Sequence, residues 1–118
     1  MGGISEFFKV MSDETRLRIL VLLSQKEMCV CEICDMLNVS QPKVSRHLAK
    51  LRDADLVRDV RQGQWVFYYV NLNDGTLSEL LNIIVRNINE HPVLKNDMHK
   101  LVENISQDKL CKRVVNLS

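Results

Sequence analysis

The fold is decided by residues 30–53, which read VCEICDMLNVSQPKVSRHLAKLRD. The first part predicts a helix from about Val30 to Leu37, ending at Asn38, a residue type that tolerates the left-handed conformation at a helix end. Ser40 then offers a capping hydroxyl, and Pro42 falls in the first turn of a second helix, where its missing N–H costs nothing. The short connection between the helices predicts a helix-turn-helix at about residues 30–53.

The second helix has one apolar face and one polar face. Val44, Leu48 and Leu51 recur at i, i+4 and i+7 and are expected to face the core. The other side chains are of types that bond base edges and phosphates. An ordinary solvated basic helix face is the alternative. We predict DNA contacts from Ser40, Gln41, Lys43, Ser45, Arg46, His47 and Lys50.

A β-hairpin wing is predicted at about residues 56–70, where two runs rich in β-branched and aromatic residues flank a basic turn that contains Gly63. The fold class is therefore mainly α with a β-hairpin wing, a winged helix-turn-helix. The wing side chains placed for contact with the DNA backbone or minor groove are Arg58, Arg61 and Gln62. For the last two, a role as ordinary turn residues is the alternative.

Two terminal helical regions, at about residues 4–11 and 74–91, carry broad apolar faces. The second face is too wide for one helix at the edge of a small domain, so we predict a homodimer on a two-fold operator. A role in the protomer's own core is the alternative. The predicted interface residues are Phe7, Phe8, Leu77, Leu80, Leu81, Ile84, Val85 and Ile88.

Beyond this region, His91 and Pro92 are expected to end the helix, and a weaker helix is expected over Asp97 to Ile105. A polar tail is predicted at about residues 106–118.

The composition agrees with one folded domain over residues 1–118, with 46% hydrophobic and 26% charged residues. Although the net charge is only +1, residues 41–64 hold six basic and three acidic side chains, the pattern of a protein that meets a polyanion with one face. The longest apolar run has six residues, against the roughly 20 of a membrane span. With no secretory signal visible, we expect a cytoplasmic protein and no membrane partner.

Three of the four cysteines, Cys29, Cys31 and Cys34, fall within six residues. In a reducing compartment such clusters indicate metal or redox chemistry. Thiolates prefer soft ions, and three without a fourth suit arsenite or antimonite better than tetrahedral zinc. In a regular helix Cys29 would lie about 200° around from Cys31, so a shared ion requires a non-helical entry at Cys29 or an unwound first turn. Because the cysteine helix leads directly into the DNA-reading helix, ligation would then strain the DNA-reading element.

Other interpretations of the cysteines stay open. They could be inert core residues. Cys31 and Cys34, at i and i+3, are close enough for a disulfide, which would make a redox-sensing repressor. A dithiol oxidoreductase would need a βαβ setting that this sequence lacks. A repressor that senses cadmium, lead or zinc could complete its site with Cys111, which we otherwise regard as a bystander.

Three segments together resemble the ArsR/SmtB metalloregulatory repressors: Glu27 to Leu37, Ser40 to Leu48, and Gly63 to Val66. The similarity covers about residues 5–90, and the cysteine run is similar to that of the arsenic-sensing branch. The resemblance implies a homodimeric, non-enzymatic repressor of an arsenic-resistance operon with no organic cofactor. It also implies release from the operator when As(III) or Sb(III) binds Cys29, Cys31 and Cys34.

The chain departs from the sibling branches. Cadmium- and lead-sensing members add cysteines from the N-terminal arm, and none precedes Cys29. Asp97 and His99 resemble the first half of the zinc-sensing set, but no second half follows them. We therefore expect Asp97, His91 and His99 to be surface residues.

Overall fold

The computed structural model describes residues 3–73 and 75–106; the predicted tail and Cys111 lie outside them, apart from the backbone of Ser106. Six α-helices, three strands and one 3-10 turn are found in this part of the chain. In chain order they are α1 (Ile4–Met11), α2 (Glu14–Leu23), β1 (Met28–Cys29), α3 (Val30–Leu37), α4 (Gln41–Asp53), β2 (Val57–Gln62), β3 (Trp65–Val70), α5 (Gly75–Arg86), the 3-10 turn Ile88–Glu90, and α6 (Pro92–Ser106).

Helix α2 is central to the core. Its last five residues, 19–23, are all buried, and a helix buried around its circumference must be covered on several sides. Helices α1, α4 and α6 and strand β3 provide that cover. The helix begins with a side-chain cap, because a carboxylate oxygen of Asp13 accepts the backbone N–H of Arg16 at 3.1 Å.

Helices α3 and α4 form the predicted helix-turn-helix. Asn38 ends α3 in the left-handed conformation, with φ 57° and ψ 48°, as predicted. Pro42 lies in the first turn of α4, and the stripe of Val44, Leu48 and Leu51 is buried. One detail differs: Ser40 is the N-cap residue, but its hydroxyl makes no capping hydrogen bond in the described structure.

The wing consists of β2 and β3, which pair antiparallel from Val57 opposite Val70 to Gln62 opposite Trp65. Gly63 turns the chain with φ 65°, a conformation that glycine adopts without strain. A third strand was not predicted: β1 pairs with the other edge of β3, with Cys29 opposite Phe67. A two-residue strand is too short to leave a periodic pattern in the sequence.

The predicted C-terminal end of the helix that follows the wing was wrong. Helix α5 ends at Arg86, and Pro92 begins α6 instead of ending the preceding helix. Proline is well tolerated there because the first N–H groups of a helix have no intrahelical partner. The predicted helix over Asp97 to Ile105 is therefore the later part of a longer one.

Helix α6 is fastened to the core by a buried ion pair. Asp97 is only 3% exposed, and its carboxylate accepts hydrogen bonds from Nε and Nη2 of Arg18 at 2.8 and 2.9 Å. The expectation of a surface Asp97 was wrong because its partner is 79 residues away in sequence. His91 and His99 are exposed, as expected. Lys100 also donates from Nζ to the backbone oxygen of Asp35 at 2.9 Å, which joins α6 to α3.

Among the described helices, none has the length and apolar character needed to cross a membrane.

Candidate functional site

Helix α4 presents most of its predicted DNA-contacting side chains to solvent. Its buried stripe turns the opposite face outward, and residues 40–43 at its start are exposed. Exposed N–H groups at a helix N-terminus attract phosphate. The exposed members of the predicted set on this helix and its cap are Ser40, Gln41, Lys43, Ser45, Arg46 and Lys50.

His47 is the exception, because its side chain is only 15% exposed and packs against the start of α2. Its Nδ1 lies 3.4 Å from Nη1 of Arg16 and 3.9 Å from a carboxylate oxygen of Asp13. Burial lowers the pKa of His47, and the cations Arg16, Lys43 and Arg46 lower it further, against the opposing effect of Asp13. A neutral imidazole can accept a hydrogen bond from Arg16 at Nδ1. The structure therefore places His47 between two helices and not on the open face.

Arg16 connects three helices. Besides meeting His47 on α4, its Nε donates to the backbone oxygen of Val10 near the end of α1, at 2.7 Å. Sequence reasoning did not single out Arg16, because nothing in the local pattern of α2 indicates which side chain reaches two neighbouring helices.

The wing carries its predicted residues on the surface. Arg58, Arg61 and Gln62 are all exposed. Nη2 of Arg58 lies 3.1 Å from a carboxylate oxygen of Asp55, so its charge is partly compensated locally. Of the aromatic residues of the wing, Phe67 is fully buried and Tyr69 is 39% exposed.

Cys29 and Cys31 form a close pair of thiols, with their sulfur atoms 2.9 Å apart. Cys29 is 3% exposed and Cys31 is exposed. Cys29 has extended backbone angles, φ −86° and ψ 168°, immediately before the first residue of α3. This is one of the two arrangements expected from helix geometry, the non-helical entry. It is held by a carboxylate oxygen of Glu32, which accepts the backbone N–H of Cys29 at 2.9 Å.

Cys34 lies one turn further along α3 and is half-buried. Burial is the main cause that raises the pKa of its thiol, with Asp35 and Cys31 adding to it. Cys31 and Cys34 line one cavity of about 500 Å³ that extends to the turn residues and to Gln41 at the start of α4. Over residues 3–73 and 75–106, no three His, Cys, Asp or Glu side chains are grouped closely enough to hold a metal ion. The donor set fits a thiophilic ion, but Cys34 has to approach the other two thiols to share it.

The backbone of Cys34 is part of the turn before α4. Its carbonyl oxygen accepts the N–H groups of Asn38 and Val39 at 2.8 and 3.3 Å. A displacement of Cys34 therefore acts directly on the residues that set the direction of α4.

The predicted dimer residues differ in how far they are buried within the protomer. Leu77 and Leu81 are buried within the protomer, so for them the alternative of core packing holds. Phe8 is 55% exposed and contacts the half-buried Phe7 edge-on, with ring centroids 5.1 Å apart. Ile83 is also exposed, although it was not predicted. The remaining members are half-buried: Leu80, Ile84, Val85 and Ile88.

Comparison with known proteins agrees with this architecture. Residues 13–59 match a family model described as "Bacterial regulatory protein, arsR family". The chain is 55% identical over 64 residues to the arsenical resistance operon repressor of Escherichia coli strain K12, covering 53% of this chain and 55% of that one. It is 41% identical over 81 residues to the HTH-type transcriptional regulator MJ1325 of Methanocaldococcus jannaschii, covering 68% and 89%. The chain spans only about half the length of the arsenic-resistance regulators it matches, from 48% to 58%.

Among solved structures, the chain is similar to the homodimeric winged helix-turn-helix DNA-binding domain Mb0332 from Mycobacterium bovis. The TM-score is 0.62 at 25% sequence identity, covering 75% of this chain and 80% of that one. The relatives and structural neighbours whose descriptions name a function are transcriptional regulators.

Proposed function

Because this chain belongs to the ArsR family of bacterial regulatory proteins, we propose that it is a homodimeric transcriptional repressor of arsenic-resistance genes. It acts in the cytoplasm, binds operator DNA, and is released when Cys29, Cys31 and Cys34 bind As(III) or Sb(III). Three thiols in and just before the helix that precedes α4 carry this proposal, two of them with sulfur atoms already 2.9 Å apart.

The operator is bound by α4 and the wing of each protomer. The open face of α4 offers Gln41, Ser45 and Arg46, whose side chains suit base edges in a major groove. Ser40, Lys43 and Lys50 are suited to phosphates, and Arg61 and Gln62 lie at the exposed end of the hairpin. Arg58 reaches the DNA backbone only by loosening its contact with Asp55, and His47 acts indirectly by fixing α4 against α2.

Dimerisation by about residues 4–11 and 74–91 presents two copies of α4 to the two half-sites. The exposed and half-buried apolar side chains of α1 and α5, chiefly Phe8, Ile83 and Ile84, supply the interface. Leu77 and Leu81 support it from beneath as core residues.

Coupling between the thiols and the DNA-reading helix runs through Cys34. A bound trivalent arsenic or antimony offers bonds to as many as three thiolates, which are its preferred ligands. Cys29 is held by β1 and by Glu32, so Cys34 is the member of the set that moves. Because its carbonyl accepts the N–H groups of Asn38 and Val39, its movement changes the turn and the placement of α4. The ligand then favours the form that binds DNA poorly, as linkage requires.

Fluorescence anisotropy of the reduced protein on a labelled duplex from its own promoter, titrated with arsenite, tests this proposal. We expect tight binding that collapses near one arsenite per protomer. Cys31→Ser and Cys34→Ser should keep DNA affinity and lose the response, whereas Cys111→Ser, the same change outside the trio, should behave as the parent. Release of both trio variants by arsenite would refute the three-thiol site. Release by cadmium, lead or zinc but not by arsenite would replace the proposed inducer.

A further inference from the structure

The close contact between Cys29 and Cys31 has chemical consequences besides ion binding. A disulfide requires sulfur atoms about 2.05 Å apart and Cα atoms within about 7 Å. Residues two apart in sequence cannot exceed about 7 Å between their Cα atoms, and the two sulfurs are already 2.9 Å apart. Bond formation therefore needs only a small movement of the side chains.

The backbone holds this pair in place from two sides. Cys29 pairs with Phe67 across the sheet, and its N–H is bound by the buried carboxylate of Glu32. Cys31 lies in the first turn of α3 and is exposed, so a small oxidant reaches its sulfur. The oxidant can therefore react with the exposed thiol of Cys31, and the buried thiol of Cys29 lies next to it to form the disulfide.

The geometry points to Cys29 and Cys31 as a disulfide-forming pair that is oxidised by hydroperoxides, a modification separate from ion binding. The Cys31 thiolate attacks one peroxide oxygen, the O–O bond breaks, and the departing oxygen takes a proton to leave as water or an alcohol. Cys31 becomes a sulfenic acid. The Cys29 thiolate then attacks the Cys31 sulfur and displaces hydroxide, which takes a proton to become water. Two thiols lose two electrons and two protons, and the hydroperoxide is reduced.

This pairing differs from the one favoured by sequence spacing, which was Cys31 with Cys34. The contact observed between sulfur atoms joins Cys31 to Cys29 instead. The carbonyl oxygen of Cys34, moreover, accepts two backbone hydrogen bonds in the turn before α4. A bond from Cys31 to Cys34 would therefore act on that turn, whereas a bond from Cys31 to Cys29 leaves it unchanged.

The oxidised protein should therefore keep its DNA-binding form while having too few thiols to bind arsenite. This consequence rests on the proposed function, but disulfide formation itself does not. Oxidation would give a repressor that stays on its operator in the presence of arsenite until a thiol reductant restores the pair.

Mass spectrometry of the full-length reduced protein, treated with one equivalent of hydrogen peroxide and then alkylated, tests the pairing. Cleavage after Glu27 and Glu32 releases a peptide, Met28–Glu32, whose only cysteines are Cys29 and Cys31. We expect this peptide to be unalkylated and lighter by two hydrogen atoms, with Cys34 fully alkylated. Dithiothreitol should reverse the change.

Cys34→Ser is the matched control and should form the disulfide as the parent does, whereas Cys31→Ser should not. A disulfide that includes Cys34 or Cys111, or alkylation of both Cys29 and Cys31 after peroxide, would overturn the inference. Since these readouts use no arsenite and no DNA, they separate failure of the disulfide from failure of the proposed repressor function. Anisotropy of the oxidised protein with arsenite then measures its loss of response.

Discussion

Replacing Asp97 by Asn should destabilise the protein by about 3 kcal/mol, because it breaks a buried ion pair and leaves one partner charged. Two charge-assisted hydrogen bonds, of 2.8 and 2.9 Å, join the carboxylate to Arg18. The amide of Asn can accept only one of them and turns its NH₂ group toward the guanidinium. The Arg18 side chain is 21% exposed, so water recovers part of its hydration, which sets the estimate at the lower end of the usual range of about 3 to 5 kcal/mol for such a loss.

Urea unfolding, followed by circular dichroism at one fixed protein concentration, measures this change. With a slope of about 2 kcal/mol per M, the midpoint of Asp97→Asn should fall by about 1.5 M. Asp59→Asn is the control, since the Arg52–Asp59 pair is 3.3 Å long and partly exposed. Its effect should stay under about 1 kcal/mol. Equal, small shifts for both variants would refute the view that this pair fastens α6 to the core.

Three further predictions concern the pH dependence of stability, operator binding and dimerisation. The parent protein should lose stability as the pH falls below 6.5, because the pKa of His47 is lowered in the folded state and the unfolded state therefore takes up the proton first. His47→Gln should remove this loss. Urea midpoints of the two proteins that run parallel between pH 7 and 5 would contradict this. Arg46→Ala should weaken operator binding by about 1 to 3 kcal/mol, as measured by anisotropy at one salt concentration. Arg58→Ala should weaken it by less, because Arg58 also contacts Asp55. Ile84→Glu should shift the protein toward monomer in analytical ultracentrifugation, while the same change at the exposed Val102 on α6 should not.

The helix-turn-helix could be predicted from sequence because its signals are local. Asn38, Pro42 and the stripe from Val44 to Leu51 each act within one or two turns of their own position, and the structure places all of them as predicted. The non-helical entry at Cys29 was one of the two arrangements that the angle between residues on a helix allowed for a shared ion, and it is the one found.

Features that depend on distant partners could not be predicted in the same way. The burial of Asp97 depends on Arg18, and the position of His47 depends on Arg16, 31 residues away. Periodicity shows that a helix has an apolar face but does not show whether a neighbouring helix or a second protomer covers that face. For this reason Leu77 and Leu81 were predicted at the interface, although they lie in the core. Strand β1 exists only because β3 offers it an edge.

That short strand gives the cysteine site a second neighbour besides α4. Cys29 and Val60 of the wing both lie opposite Phe67, because β3 is the middle strand of the sheet. Amide protons along the edge of β3 that faces β1 are consequently natural reporters of the thiols. Hydrogen exchange at that edge would reveal loosening or tightening at Cys29 without any label on the cysteines themselves, and could be followed while the protein stays on DNA.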